Sequence, residues 1–71
     1  MAIIKGFIND KTNIILKTET IADYTFDNEY LQIRTYKDND FNRVDSPKQN
    51  FQLDKDRARE LIDIINKFLR E

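Results

Sequence analysis

Four side chains suited to nucleic-acid binding alternate along one short stretch of the chain. Residues 30–36 read Tyr-Leu-Gln-Ile-Arg-Thr-Tyr, which places Tyr30, Gln32, Arg34 and Tyr36 on one side of an extended strand. Aromatic rings stack on bases and a guanidinium binds phosphate, so this row has the chemistry of a single-strand binding surface. The same residue types also favour strands and cross-strand pairing, which is a purely structural explanation.

The side chains that most enzymes and zinc sites use are absent. The chain has no histidine and no cysteine, which removes the common acyl-transfer arrangements and the usual zinc ligands. Gly6 is the only glycine, so a glycine-rich phosphate loop is excluded. Turn formation explains the carboxylates of Asp38 and Asp40, and helix capping explains those of Asp54 and Asp56. We therefore expect a protein without catalytic residues, metal or cofactor.

The element that must support this strand is a C-terminal helix, expected over about residues 55–70. Asp54 precedes it and has the side chain of an N-cap, while Lys67 suits the negative end of the helix dipole. Apolar residues at steps of three and four predict one stripe that must be buried. Its members are Ala58, Leu61, Ile62, Ile65, Phe68 and Leu69, with Ile64 widening it.

Extended patterns precede the helix. β-Branched residues over about 2–8 and 13–19 predict a first hairpin, and a last strand is predicted over about 48–53. A second hairpin is predicted over 21–26 and 29–36, with Asp27-Asn28 as a two-residue turn and Phe26 opposite Glu29. In that register one side of the hairpin forms a core face, which consists of Ala22, Tyr24, Phe26, Leu31 and Ile33.

Strands followed by one helix indicate an α+β fold in a single domain, residues 1–71. Short polar connections favour a four-stranded antiparallel meander, in which 21–26/29–36 is counted as one unit, with the helix packed on one face. Residues 37–48 are expected to form a long loop, anchored by its only apolar residues, Phe41 and Val44.

Composition limits both size and partners. With 71 residues the chain has room for one small core, and no disulfide can reinforce it. Ile64 and Phe68 on the helix, with apolar residues on a second strand face, exceed what one helix covers, so a homodimer is expected. A net charge of -1 gives no overall attraction to nucleic acid or anionic lipid. The lack of a signal peptide and of a long apolar run predicts a soluble, cytoplasmic protein.

Residues 30–69 resemble the positive cofactor four family of transcriptional coactivators and its bacterial relatives, which bind single-stranded DNA. The matching pieces are Ile33-Arg34-Thr35-Tyr36, Ser46-Pro47-Lys48, and Phe51-Gln52-Leu53 leading into the helix. The resemblance implies a dimer that binds nucleic acid across the open sheet face, in transcription or DNA maintenance. The chain departs from the family in having Gln49-Asn50, and no glycine, before its last strand.

Two functions follow from these observations. The first is single-stranded DNA or RNA binding by residues of the open face and the long loop, namely Tyr30, Gln32, Arg34, Tyr36, Lys37, Arg43 and Lys48. The alternative is a small protein-interaction or inhibitor protein, of the kind phages and plasmids encode, without nucleic-acid binding. A continuous basic strip beside the two tyrosines would favour the first, and acidic side chains that interrupt it would favour the second.

Overall fold

The computed structural model describes residues 1–71 and has the expected α+β layout of a four-stranded sheet and one C-terminal helix. The elements are β1 (Ala2–Ile3), β2 (Thr20–Phe26), β3 (Tyr30–Lys37), β4 (Gln49–Asp54) and α1 (Lys55–Leu69). In the sheet the strand order is β1-β4-β3-β2. The pairs β2–β3 and β3–β4 are antiparallel, as predicted, but β1 runs parallel to β4. The prediction of a fully antiparallel meander is therefore wrong.

The β2–β3 hairpin forms in a register shifted by two residues from the predicted one, because Phe26 pairs with Leu31 instead of Glu29. The turn is built on Asp27, whose carboxylate accepts hydrogen bonds from the amides of Glu29 and Tyr30 at 2.8 and 2.9 Å. This side-chain bonding stabilises a longer connection than the two-residue turn. Since side chains alternate with a period of two, the shift leaves every residue on its predicted face.

The two faces of the sheet differ sharply in character. We call one the apolar face, formed by Ala22, Tyr24, Phe26, Leu31, Ile33, Phe51 and Leu53. We call the other the polar face, formed by Ile21, Asp23, Thr25, Tyr30, Gln32, Arg34, Tyr36, Asn50 and Gln52.

The helix begins as the sequence predicts. Asp54 is the N-cap, and its carboxylate accepts a 2.7 Å hydrogen bond from the amide of Arg57. The helix contacts β4 and β3, and Ala58 and Leu61 are half-buried. Every residue from 62 to 71 is exposed, so the predicted burial of the whole apolar stripe is wrong for the single chain.

The N-terminal part of the chain differs most from prediction. Only Ala2–Ile3 of the expected strand over residues 2–8 pairs with the sheet, and residues 13–19 form no strand. After β1 the chain leaves the sheet and passes beside the helix, where Arg57 donates a hydrogen bond of 2.7 Å to the carbonyl of Lys5. The expected first hairpin is absent, because neither segment has the other as a neighbour.

The chain is only lightly packed. Its two buried residues are Leu53 on the apolar face, 1% exposed, and Tyr36 on the polar face, 3% exposed. The accessible surface is 6596 Å², whereas a compact monomer of 8.5 kDa exposes about 4,700 Å². The radius of gyration is 13.8 Å, against about 11 Å for a compact domain of this length. The chain therefore exposes about 1,900 Å² more surface than a compact monomer of the same mass.

Candidate interaction surfaces

Asp23 organises the centre of the polar face. Its carboxylate accepts two hydrogen bonds from Arg34, from Nε at 3.0 Å and from Nη2 at 2.7 Å. It also accepts a 2.9 Å hydrogen bond from the Tyr36 hydroxyl, and Nε of Arg43 lies 3.6 Å away. One acidic side chain therefore neutralises two of the cations that were expected to contact phosphate.

The pKa values of Asp23, Arg34 and Tyr36 are shifted in this cluster. The Arg34 hydrogen bond is the main reason why the pKa of Asp23 is lowered. Burial, followed by the hydrogen bond to Asp23, raises the pKa of Tyr36. The hydrogen bond to the carboxylate also raises the pKa of Arg34. The cluster is therefore an anion bonded to a cation and a neutral phenol at neutral pH.

Tyr36 does not form the exposed stacking platform that the sequence analysis expected. Its side chain is on the predicted face, but it is buried, with the Arg34 guanidinium carbon 5.7 Å from its ring centroid. The loop after β3 returns toward this end of the sheet, as the approach of Arg43 to Asp23 shows. The predicted exposure of Tyr36 is wrong because the alternation of a strand fixes a face but not what covers it.

The opposite end of the polar face carries the other predicted binding residues. Tyr30 is 38% exposed, and Gln32 is half-buried. The Gln52 amide donates hydrogen bonds of 2.9 Å to Gln32 and 3.0 Å to Asn50, which forms a row of amides across β3 and β4. A shallow hollow of about 360 Å³ lies over this row, lined in part by Met1 and Ile3.

Charge around these residues does not form a basic strip. Beside Tyr30 a small surface hollow is lined by Glu29, Asp54, Lys55 and Asp56, so acidic groups outnumber basic ones there. Lys37 and Lys48 lie at the other end of β3 and β4 and are exposed. Between the two ends lies the Asp23 cluster. The structure thus does not bring the predicted cations together around the two tyrosines.

The apolar face is largely uncovered. Tyr24 and Phe26 are 73% and 72% exposed, although both lie on the face predicted to form the core. With Leu31 and Ile33 they line an open hollow of about 520 Å³ that is almost entirely apolar. The helix contacts β4 and β3 but not β2, and Leu53 on β4 is buried.

A second group of exposed apolar side chains lies on the helix. Its members are Ile62, Ile65, Phe68 and Leu69. Ile64 is exposed as well and lines a hollow shared with Phe7 and Ile8 of the N-terminal segment. Several large apolar side chains exposed on one helix are typical of an interaction site. Phe41 and Val44 in the long loop are exposed as well, so their predicted anchoring role is wrong.

Sequence reasoning missed the central role of Asp23. In the predicted register Asp23 faced Gln32, whereas in the structure it faces Arg34. A cross-strand Asp–Arg pair was the signal that would have identified the cluster, but it becomes visible only in the correct register.

Comparison of the chain with protein-family models, curated proteins and solved structures finds no match. The helix Lys55–Leu69 is too short and too polar to cross a membrane. No group of three or more acidic side chains is positioned to hold a metal ion.

Proposed function

We propose that this protein is a non-catalytic protein-interaction module that associates with a second copy of itself through its apolar face and helix stripe. The observation that carries the proposal is the exposure of Tyr24 and Phe26 on β2, together with that of Ile65, Phe68 and Leu69 on the helix. Biologically, such a module fits a small accessory or inhibitor factor that acts by binding proteins.

The excess surface area of the chain is large enough for a homodimer interface. The chain exposes about 1,900 Å² more than a compact monomer of its mass. An obligate homodimer buries about 1,000 to 2,500 Å² on each protomer, mostly apolar. A second copy supplies a matching apolar surface, because a two-fold axis brings the same patch of both chains together.

The charge distribution supports protein binding over phosphate binding. A nucleic-acid surface depends on unpaired cations. Here Asp23 binds Arg34 and lies near Arg43, and three of the four charged side chains in the hollow beside Tyr30 are acidic.

Sedimentation velocity between about 1 and 100 μM tests the proposal, since a specific interface of ordinary affinity saturates in this range. We expect the mass of a dimer. Phe26→Asp places a charge in the apolar face and should weaken the dimer about 30-fold or more, as loss of a central anchor does. Phe41→Asp is the matched control, because Phe41 is a 68% exposed aromatic residue in a loop and belongs to no strand of the sheet. A monomer at the highest concentration, or equal dimerisation by both variants and the wild type, would refute the proposal.

The helix part of the interface needs its own variant. Phe68 lies on the exposed stripe in the last turns of the helix. Phe68→Asp should weaken the dimer as Phe26→Asp does, while Asp63→Asn on the same helix should not. A dimer that loses no affinity on Phe68→Asp would exclude the helix stripe from the interface.

A second candidate function is single-stranded nucleic-acid binding on the polar face. The observation that favours it is that Tyr30 stays exposed beside the amides of Gln32 and Gln52. Stacking on one aromatic ring contributes about 1 to 3 kcal/mol per base. The affinity is expected to be weak and to fall steeply with salt.

Fluorescence anisotropy with an unstructured oligonucleotide of about 20 bases, at low salt, tests this candidate. Tyr30→Ala should weaken binding, whereas Asp23→Asn should strengthen it by releasing Arg34 and Arg43. Val44→Ala is the control, since Val44 is an exposed loop residue with no place in the face. No binding by the wild-type protein at low salt would end this candidate.

A further inference from the structure

Residues 13–19, which we call the arm, belong to no helix or strand and contain three consecutive apolar side chains. Ile14, Ile15 and Leu16 are exposed, Ile15 to 87%. Their β-branched sequence is typical of a strand, yet they pair with no neighbour in the sheet. The arm leads directly into β2, which begins at Thr20.

β2 has an unused edge. It is the outermost strand of the sheet, paired only with β3, so the backbone groups along its outer side have no partner strand. An open edge of seven residues is a template for an additional strand. It also borders the uncovered Tyr24 and Phe26 of the apolar face.

The arm cannot readily fold back on the β2 of its own chain. A hairpin between them would need a tight turn at Lys17-Thr18-Glu19, where the sequence has no glycine, asparagine, aspartate or proline. Those residues supply the backbone conformations that tight turns require. The chain instead favours continuing straight from the arm into β2.

We propose that the arm of one protomer adds as an antiparallel strand to the outer edge of β2 in a second copy, and that the exchange is reciprocal. This inference rests on the proposed self-association and adds a strand-edge contact to it. If arm and β2 form one continuous strand, two such strands pair around a two-fold axis at Thr20. The contact is then closed, because each copy donates one arm and accepts one.

The side chains fit this register. A strand that continues without a bulge places Ile14 and Leu16 on the apolar face, because they alternate in phase with Tyr24 and Phe26. Pairing around Thr20 sets Leu16 opposite Tyr24 and Ile14 opposite Phe26 of the second copy. It also sets Lys17 opposite Asp23 on the polar face. Apolar and charged pairs are thus both complementary, as stable cross-strand neighbours are.

Cysteine cross-linking tests the exchange, since the natural chain contains no cysteine. Thr20→Cys places the two thiols of a dimer across the two-fold axis, within the distance that a disulfide spans. We expect it to form a covalent dimer under mild oxidation at least tenfold faster than Val44→Cys, an equally simple variant at an exposed loop site. Hydrogen exchange of the wild-type arm should be slowed by about tenfold or more at dimer-forming concentration.

The outcomes separate this inference from the function on which it rests. If sedimentation shows a dimer but Thr20→Cys cross-links no faster than Val44→Cys, the arm exchange is refuted and self-association stands. A wild-type arm that exchanges as fast as a free peptide in that dimer refutes it independently. If the wild-type protein is a monomer at about 100 μM, both proposals fail.

Discussion

The Asp23 carboxylate and the Arg34 guanidinium face each other across β2 and β3, joined by hydrogen bonds of 3.0 and 2.7 Å. The same carboxylate accepts the hydroxyl of Tyr36. Arginine and tyrosine on an open strand face have the chemistry of a nucleic-acid site, but here an acidic neighbour engages both. The main effect of the hydrogen bonds to Asp23 and of the nearby Arg43 is to join β2, β3 and the returning loop.

Acidification is expected to destabilise the fold as Asp23 takes up a proton. Because the Arg34 hydrogen bond lowers the pKa of Asp23 from its ordinary value of 3.8, the folded state binds this proton less readily than the unfolded state. The stability that the carboxylate contributes is full at pH values above 3.8 and is lost as pH falls through the lower, folded-state value.

Urea titrations at about pH 6, 4 and 3, at one protein concentration, measure this effect. The free energy of unfolding of Asp23→Asn should decline less with falling pH than that of the wild type. Some decline should remain, because hydrogen bonds also lower the pKa values of Asp27 and Asp40. Asp63→Asn is the control and should follow the wild type. Parallel curves for Asp23→Asn and the wild type would contradict the prediction.

Tyr36 should behave as a core residue. Tyr36→Ala is expected to lower the midpoint of thermal unfolding by about 10 °C or more, because it empties one of the two buried positions of the chain. Tyr36→Phe keeps the ring and loses only the hydrogen bond to Asp23, so its shift should be much smaller. Circular dichroism at fixed concentration measures both. If Tyr36→Ala were as stable as the wild type, the Tyr36 side chain would be exposed, as the sequence analysis expected, and not part of the core.

The sequence predicts the parts of the fold that depend on local patterns. The helix start at Asp54 and the alternation along β2 and β3 each rest on neighbouring residues, and the structure confirms them. The predicted turn was wrong, but each residue was still assigned to the correct face of the sheet. This is because the register error was two residues, which is a whole period of the strand.

The predictions that were wrong concern features that depend on contacts between residues far apart in the sequence. Whether residues 13–19 form a strand depends on a partner strand, which a local pattern does not specify. The same holds for Tyr36, whose burial results from the loop around Arg43. For the candidate site, the sequence indicated the polar and aromatic residues of β3. It did not indicate that Asp23 neutralises Arg34, because that pair is recognised only in the correct register.

Leu53 should be the most sensitive aliphatic position. It is the only fully buried large side chain, at the junction of β4 and the helix. Leu53→Ala is expected to lower the free energy of unfolding by about 2 to 5 kcal/mol, the usual range for a buried leucine. Val44→Ala, in the exposed loop, should change it by less than about 0.5 kcal/mol. Equal losses for the two variants would show that this junction is not the core.

The N-cap at Asp54 offers a prediction with an internal control. Its carboxylate accepts the Arg57 amide, one of the helix N–H groups that have no carbonyl partner within the helix. Asp54→Ala removes that acceptor and should cost about 0.5 to 2 kcal/mol, whereas Asp54→Asn keeps a good cap and should cost much less. Urea unfolding at one protein concentration and at neutral pH compares the three proteins. If the asparagine variant lost as much stability as the alanine variant, the capping hydrogen bond would not be what holds the start of the helix.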